Sequence, residues 1–215
     1  MTVFSKCFWR QLMLGCLVGS GVWSAAVAGA DVKVTSTDKV VFPSGLTWER
    51  MRPAPFNFVA ADPSTPVVKI DPKDQALAKS IWNDEIQKGL KKEPDAGFSM
   101  QVGTASYRGV PVAFSLLNLP LDFERCEPPL NGKNVVDMYS KCMARVSIGK
   151  ANAHVVEFSG FCYLETLWAT PQESKYRELN HNEYAFDAKE GVAYFRTLQY
   201  GKDVPACRRA VRIAQ

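Results

Sequence analysis

Ala144-Arg145-Val146-Ser147-Ile148-Gly149-Lys150-Ala151-Asn152-Ala153-His154-Val155-Val156-Glu157-Phe158-Ser159-Gly160-Phe161-Cys162-Tyr163-Leu164-Glu165-Thr166-Leu167-Trp168 is the stretch on which the fold turns. It holds three extended runs, 144–148, 153–158 and 161–168, punctuated by Gly149-Lys150 and Ser159-Gly160. β-branched and aromatic runs with turn residues between them predict an antiparallel meander.

Toward the C-terminus, Thr170-Pro171-Gln172-Glu173 is a capping box and predicts a short helix. Residues 183–186 and 192–200 read as a hairpin around Ala188-Lys189-Glu190-Gly191. Asp203 is placed to cap a last helix, with Pro205 early in it and Cys207, Ala210, Val211 and Ala214 on one face.

Toward the N-terminus, Val135, Val136, Tyr139, Cys142 and Met143 suggest a short helix, preceded by a loop carrying Cys126. Phe98, Met100 and Val102 alternate, Arg108-Gly109 reads as a turn, and 110–119 reads as a second strand. Pro111 places the start of that strand at an edge or a bulge. The clearest helix begins at Asp71-Pro72, with Asp71 at the N-cap, proline in the first turn and Asp74 favoured by the helix dipole. Leu77, Ile81, Trp82 and Ile86 form its apolar face, and Gly89 is the expected stop. Pro43, Pro53, Pro55, Pro63 and Pro66 make 31–70 irregular. Trp48, Phe56 and Phe58 give that segment enough apolar mass to pack on a core, the alternative being a partner-binding arm. Strands in runs with few interleaved helices give an α+β class. The expectation is one domain with an antiparallel sheet of about six to eight strands, about two to four helices and two disulfides.

The first thirty residues read as an address. Lys6 and Arg10 precede 20 uncharged residues, 11–30, ending in Ala28-Gly29-Ala30. That is the layout of a cleaved signal peptide, with processing before Asp31. An uncleaved membrane span and a lipoprotein at Cys16 are the weaker alternatives, and all three export the rest of the chain. Cleavage changes the arithmetic. The whole chain has 215 residues and a net charge of +4. Residues 31–215 keep 24 basic and 22 acidic side chains, a net +2, and four of the six cysteines. A balance so near neutral argues against a nucleic-acid partner, and the local clusters Lys88, Lys91, Lys92 and Arg208, Arg209, Arg212 read as solvated charges.

Four cysteines in an oxidising compartment imply two disulfides. Sequence alone allows three pairings; Cys126–Cys142 with Cys162–Cys207 is favoured, because the first pair brackets the loop-like Glu127-Pro128-Pro129-Leu130-Asn131-Gly132. No C-x-x-C and no paired-ligand rhythm occurs, so neither a thioredoxin-like activity nor a zinc site is expected.

The sequence carries no H-E-x-x-H, G-x-S-x-G, P-loop or G-x-G-x-x-G. Two S-x-x-K matches, Ser36 to Lys39 and Ser147 to Lys150, lack the companion motifs of a penicillin-binding enzyme. His154 and Glu157 fall on opposite faces of a strand. His181, in Asn180-His181-Asn182-Glu183, reads as an exposed loop histidine. It becomes an acid–base candidate only if the fold brings it to Glu165, Asp187 or Glu173. Asp122, Glu124 and Glu127 read as solvated loop charges. No metal or cofactor is expected. The reading that follows is a non-enzymatic periplasmic protein that binds a protein partner in the cell envelope, as an inhibitor or an accessory part of an envelope or secretion assembly. The alternatives are a small exported hydrolase of envelope or extracellular polymers and a secreted effector or toxin, with an extracellular location.

Overall fold

A strand that is apolar on both faces needs a covering layer on each side. Residues 112–117 have that character: Val112, Phe114 and Leu116 point one way, Ala113, Ser115 and Leu117 the other, and all are buried. The structure, a computed structural model, describes residues 33–58, 64–118, 126–127 and 138–214. It has three layers: a helix pair, a five-stranded antiparallel sheet and a six-stranded antiparallel sheet.

In chain order the strands are β1 (Lys33–Asp38), β2 (Glu49–Arg50), β3 (Arg52–Pro53), β4 (Ser99–Tyr107), β5 (Val110–Asn118), β6 (Ser140–Ile148), β7 (His154–Tyr163), β8 (His181–Asp187), β9 (Val192–Gln199), β10 (Lys202–Asp203) and β11 (Arg209–Ala214). The helices are α1 (Pro72–Ile81), α2 (Asn83–Lys92) and α3 (Pro171–Leu179). One sheet is ordered β3-β4-β5-β6-β7, the other β1-β11-β9-β8-β2 with β10 on β9. These elements belong to one compact unit, Val32–Gln215. The α+β class and antiparallel pairing agree with the sequence. The strands number eleven among the described residues, in two sheets rather than one. The reason is the two-sided burial of the middle strands, which makes a sandwich.

The sheets meet through Phe114, Phe161, Tyr184 and Phe195, with ring centroids 5.3 Å apart for Phe114–Phe195 and 5.4 Å for Phe161–Phe195. On the far face of the five-stranded sheet, Ala78, Ile81, Trp82 and Ile86 pack on Phe98, Met100, Val102 and Leu117. Trp82 ends α1, and its Nε1–H donates to Ser115 Oγ at 2.8 Å. Arg145 lies over the Trp82 ring at 4.3 Å and donates to Ile81 O, Asp84 and Glu157, which ties the helix pair to β6 and β7. That guanidinium holds the Asp84 carboxyl low, at about 2.

Several expectations are corrected. The helix does not stop at Gly89: it breaks at Trp82 and resumes to Lys92, and Gly89 lies against the Phe98 ring with no room for a side chain. Cys142 and Met143 lie in β6, because they face opposite covered sides, and Tyr139 precedes that strand outside any helix; Val135 and Val136 lie outside the described residues. Ser159-Gly160 is a bulge inside β7, not a turn, since Phe161 resumes pairing with Cys142. The run 161–168 therefore makes no third strand. The final helix is one 3-10 turn, Pro205–Cys207, followed by β11, where Val211 and Ile213 are buried and Arg212 is exposed in a period of two. The Arg108-Gly109 turn stands as expected, both residues at positive φ as a two-residue hairpin requires. Pro111 sits at the start of a central strand, beyond the first β6 partner of β5. The proline-rich segment packs: Met51 and Ala54 are buried, and Phe56 pairs with Phe98.

Cys126 is bonded to Cys142 and Cys162 to Cys207, the favoured pairing. The second bond links β7 to the turn that leads into β11 of the other sheet. Two disulfides are compatible with an oxidising compartment. Among the described residues no helix is long and apolar enough to cross a membrane. The signal-peptide reading and the charges at Asp122 and Glu124 lie outside the described residues.

Candidate functional site

Chemistry gathers where β7 leaves its sheet. Asn182 on β8 holds that exit: its Oδ1 accepts from Leu164 N at 2.9 Å, and its Nδ2 donates to Cys162 O at 2.8 Å. One carboxamide thus pairs the strand edge as a neighbouring strand would. Glu165 follows, and its carboxylate turns back on its own backbone. Oε1 accepts from Thr166 N at 2.7 Å and Leu167 N at 3.0 Å, while Oε2 accepts from Ser99 Oγ at 2.6 Å. Ser99 Oγ also lies 2.6 Å from the buried Tyr163 hydroxyl. Burial raises the Glu165 carboxyl above its ordinary range against the pull of these donors. Burial, with the Glu165 charge adding to it, raises the Tyr163 phenol well above its own.

The chain then reaches Trp168, which bridges Val67 and meets the edge of Phe58 at 5.8 Å. Thr170 caps α3 by accepting from Glu173 N at 3.3 Å, as the capping box predicts. Helical spacing sets Gln172, Glu173 and Tyr176 on one side. Together with Glu165 and Trp168 they line an open cleft of about 450 Å³. Its lining is two carboxyl groups, one amide and two aromatic rings.

Of the acid–base candidates, Glu165 and Glu173 share this cleft and His181 and Asp187 do not line it. Asp187 closes the β8–β9 loop by accepting from Lys189 N at 2.9 Å and Glu190 N at 3.0 Å. His181 is buried at the start of β8 rather than exposed in a loop, a correction forced by its ring bonds: Nδ1 with Arg177 O at 3.0 Å and Nε2 with Glu183 Oε1 at 2.9 Å. Its acid is Glu183, two residues along the same face of the strand, a spacing of two that the polar sequence context concealed. Ser99, Trp168 and Tyr176 carried no motif in the sequence.

The other motifs resolve structurally. Ser147 donates to Asn152 Oδ1 at 2.6 Å, and Ser36 lies on the edge strand β1. Glu157 takes Arg145, while His154 is exposed. Glu127 bridges Lys141 through the backbone. Lys88 pairs with Glu85, Arg208 with Asp203, and Arg209 donates to the carbonyls of Gly160, Ala206 and Arg208, so these cations serve the fold. Comparison of the chain with protein-family models, with curated proteins and with solved structures finds no match in any of the three.

Proposed function

We propose that the chain is exported with cleavage before Asp31, works in the periplasm, and binds a protein partner of the cell envelope without catalysing a reaction. An inhibitor or an accessory component of an envelope or secretion assembly has these properties. The observation that carries this reading is the state of Glu165. Both oxygens of the cleft's half-buried carboxylate are engaged by donors of the chain itself, which is how a carboxylate that shapes a surface is held. Trp168 and Tyr176 beside it offer amphipathic aromatic area of the kind that anchors interfaces. The test is crosslinking capture from periplasmic extract with the wild-type protein and with Trp168→Ala. A specific partner that is retained by the first and lost from the second supports the reading; no specific partner, or equal capture by both, overturns it.

A second reading rests on one observation, the raised Glu165 carboxyl sharing a cleft with Glu173. A carboxyl whose proton affinity is raised by burial, set beside a second carboxyl group, is the pattern of a general acid in an exported hydrolase. Turnover of an envelope polymer that disappears in Glu165→Gln without a lower melting temperature supports that reading over the first.

A further inference from the structure

β7 is the longest strand among the described residues, and it is an edge. It runs over ten residues, His154–Tyr163, and among the described residues β6 is its only strand partner. In an antiparallel ladder every second residue turns its N–H and C=O away from that partner. The second half of this outer edge is closed by side chains: Arg209 Nη2 donates to Gly160 O at 2.8 Å, and Asn182 takes Cys162 O and Leu164 N. The first half, His154 to Phe158, lies before the bulge and receives no further strand from the described residues. It contains neither the proline nor the lysine with which exposed edges are usually blunted. The other edges differ: β2 and β3 have two residues each, and β1 carries Lys33.

A cleft flanks this half-strand on each face. Val155 and Glu157 point to the helix side, where with Ile81, Asp84 and Arg145 they line an open cleft of about 400 Å³. Phe158 packs on the core between the sheets, and with Ser36, Asp38, Ser159 and Arg209 it lines a second cleft of about 320 Å³. An extended peptide laid along the edge sends alternate side chains to the two faces, so clefts placed in this way meet both sets.

The lining sets the chemistry of the occupant. Arg145 is buried and already donates to Ile81 O, Asp84 and Glu157. Asp84 is half exposed, so the helix-side cleft presents a carboxylate, with Ile81 and Val155 as apolar surface beside it. Such a cleft suits a lysine or arginine side chain, apolar along its stem and cationic at its head. The sheet-side cleft holds two serines, and its Arg209 is spent on the carbonyls of Gly160, Ala206 and Arg208. Small hydroxyl side chains suit that face. A second copy of β7 does not fit as well: its faces offer Val155 and Glu157, or His154, Val156 and Phe158, neither with a lysine or arginine.

We propose that the edge of β7 from His154 to Phe158 takes an added strand from a partner protein, an extended segment that alternates lysine or arginine, set into the cleft at Asp84, with small hydroxyl residues on the opposite face. The site goes beyond the cleft at Trp168 and does not depend on it.

The probe is a peptide of about eight residues alternating threonine and lysine. It is compared with its counterpart alternating threonine and glutamate, and with the lysine peptide N-methylated throughout. The lysine peptide should slow amide exchange within 154–158 by about tenfold or more near saturation, and leave β1 unchanged. Calorimetry should show it binding about tenfold or more tightly than the glutamate peptide. N-methylation should abolish binding, because it removes every N–H that a ladder needs. Val155→Lys, at an exposed position, should weaken the lysine peptide by about tenfold at unchanged melting temperature. Equal binding of the lysine and glutamate peptides, binding that survives N-methylation, or no protection at 154–158 overturns the proposal. Protection there that grows with protein concentration in the absence of peptide assigns the edge to a second copy, and overturns it too. None of these failures touches the reading of the Trp168 cleft.

Discussion

Asn182 shows what one side chain does for this site. It occupies the edge of β7 with its own amide and also donates to Thr197 Oγ1 at 2.8 Å. Asn182→Ala should leave a buried N–H and a buried C=O without partners, at about 1–3 kcal/mol each. Urea unfolding of the variant is expected to show a loss of about 2–4 kcal/mol, and a loss under 1 kcal/mol would mean that the edge repairs itself. Glu165 gives the site a pH signature. Its carboxyl is raised in the folded chain, so its contribution is fully present below the ordinary carboxylate range and is lost as the pH rises through the folded value. Stability measured from pH 4 to 7 should fall in the wild type more than in Glu165→Gln; parallel curves would contradict this. Sequence could nominate Glu165 as an acid, but not Ser99, which lies 66 positions away and meets it only where the chain that leaves β7 comes against the start of β4. His181 was hidden for the opposite reason. Asparagines on both sides mimic a turn, whereas here they complete hydrogen bonds of α3 and of β7.

At the scale of elements, local chemistry was legible wherever it stands alone. Asp71-Pro72, the Thr170 box and Arg108-Gly109 each determine their own backbone, and each sits where the sequence puts it. It misled where tertiary contacts decide. Pro205 does start a helical turn, but Asp203 does not cap it: Asp203 lies in β10, Val204 takes the N-cap without a side-chain bond, and pairing of Arg209, Ala210 and Val211 with β9 takes the chain into the sheet. Gly89 is the instructive case, because a glycine within a helix normally invites replacement by alanine, with a gain of up to about 1 kcal/mol. An added Cβ would lie 2.6 Å from Cζ of Phe98, whose ring is fully buried. Overpacking of that kind costs about 1–3 kcal/mol. Gly89→Ala is therefore expected to lower the unfolding midpoint despite its better propensity, and a raised midpoint would show that α2 can lift off the sheet freely.

Over the whole molecule, the sequence shows two-sided apolar strands but not how many sheets they build, since alternation fixes faces and not the partner layer. The staples are where the sandwich becomes measurable. Cys126–Cys142 closes a separation of 16 residues and Cys162–Cys207 one of 45, the latter running between the two sheets. Chain-entropy arguments assign about 3 kcal/mol to the shorter loop and about 4 kcal/mol to the longer. The longer bond has a second effect, because Cys162 is also the residue whose carbonyl Asn182 holds. Losing it loosens the exit of β7 and with it the Glu165 turn. The double replacement Cys162→Ser with Cys207→Ser should thus reduce stability more than Cys126→Ser with Cys142→Ser, by about 1 kcal/mol or more in urea unfolding. It should also raise amide exchange at Leu164, Thr166 and Leu167, which the shorter loop's removal leaves protected. The reverse order of stabilities would mean that aromatic packing between the sheets, and not the covalent link, holds the site in place.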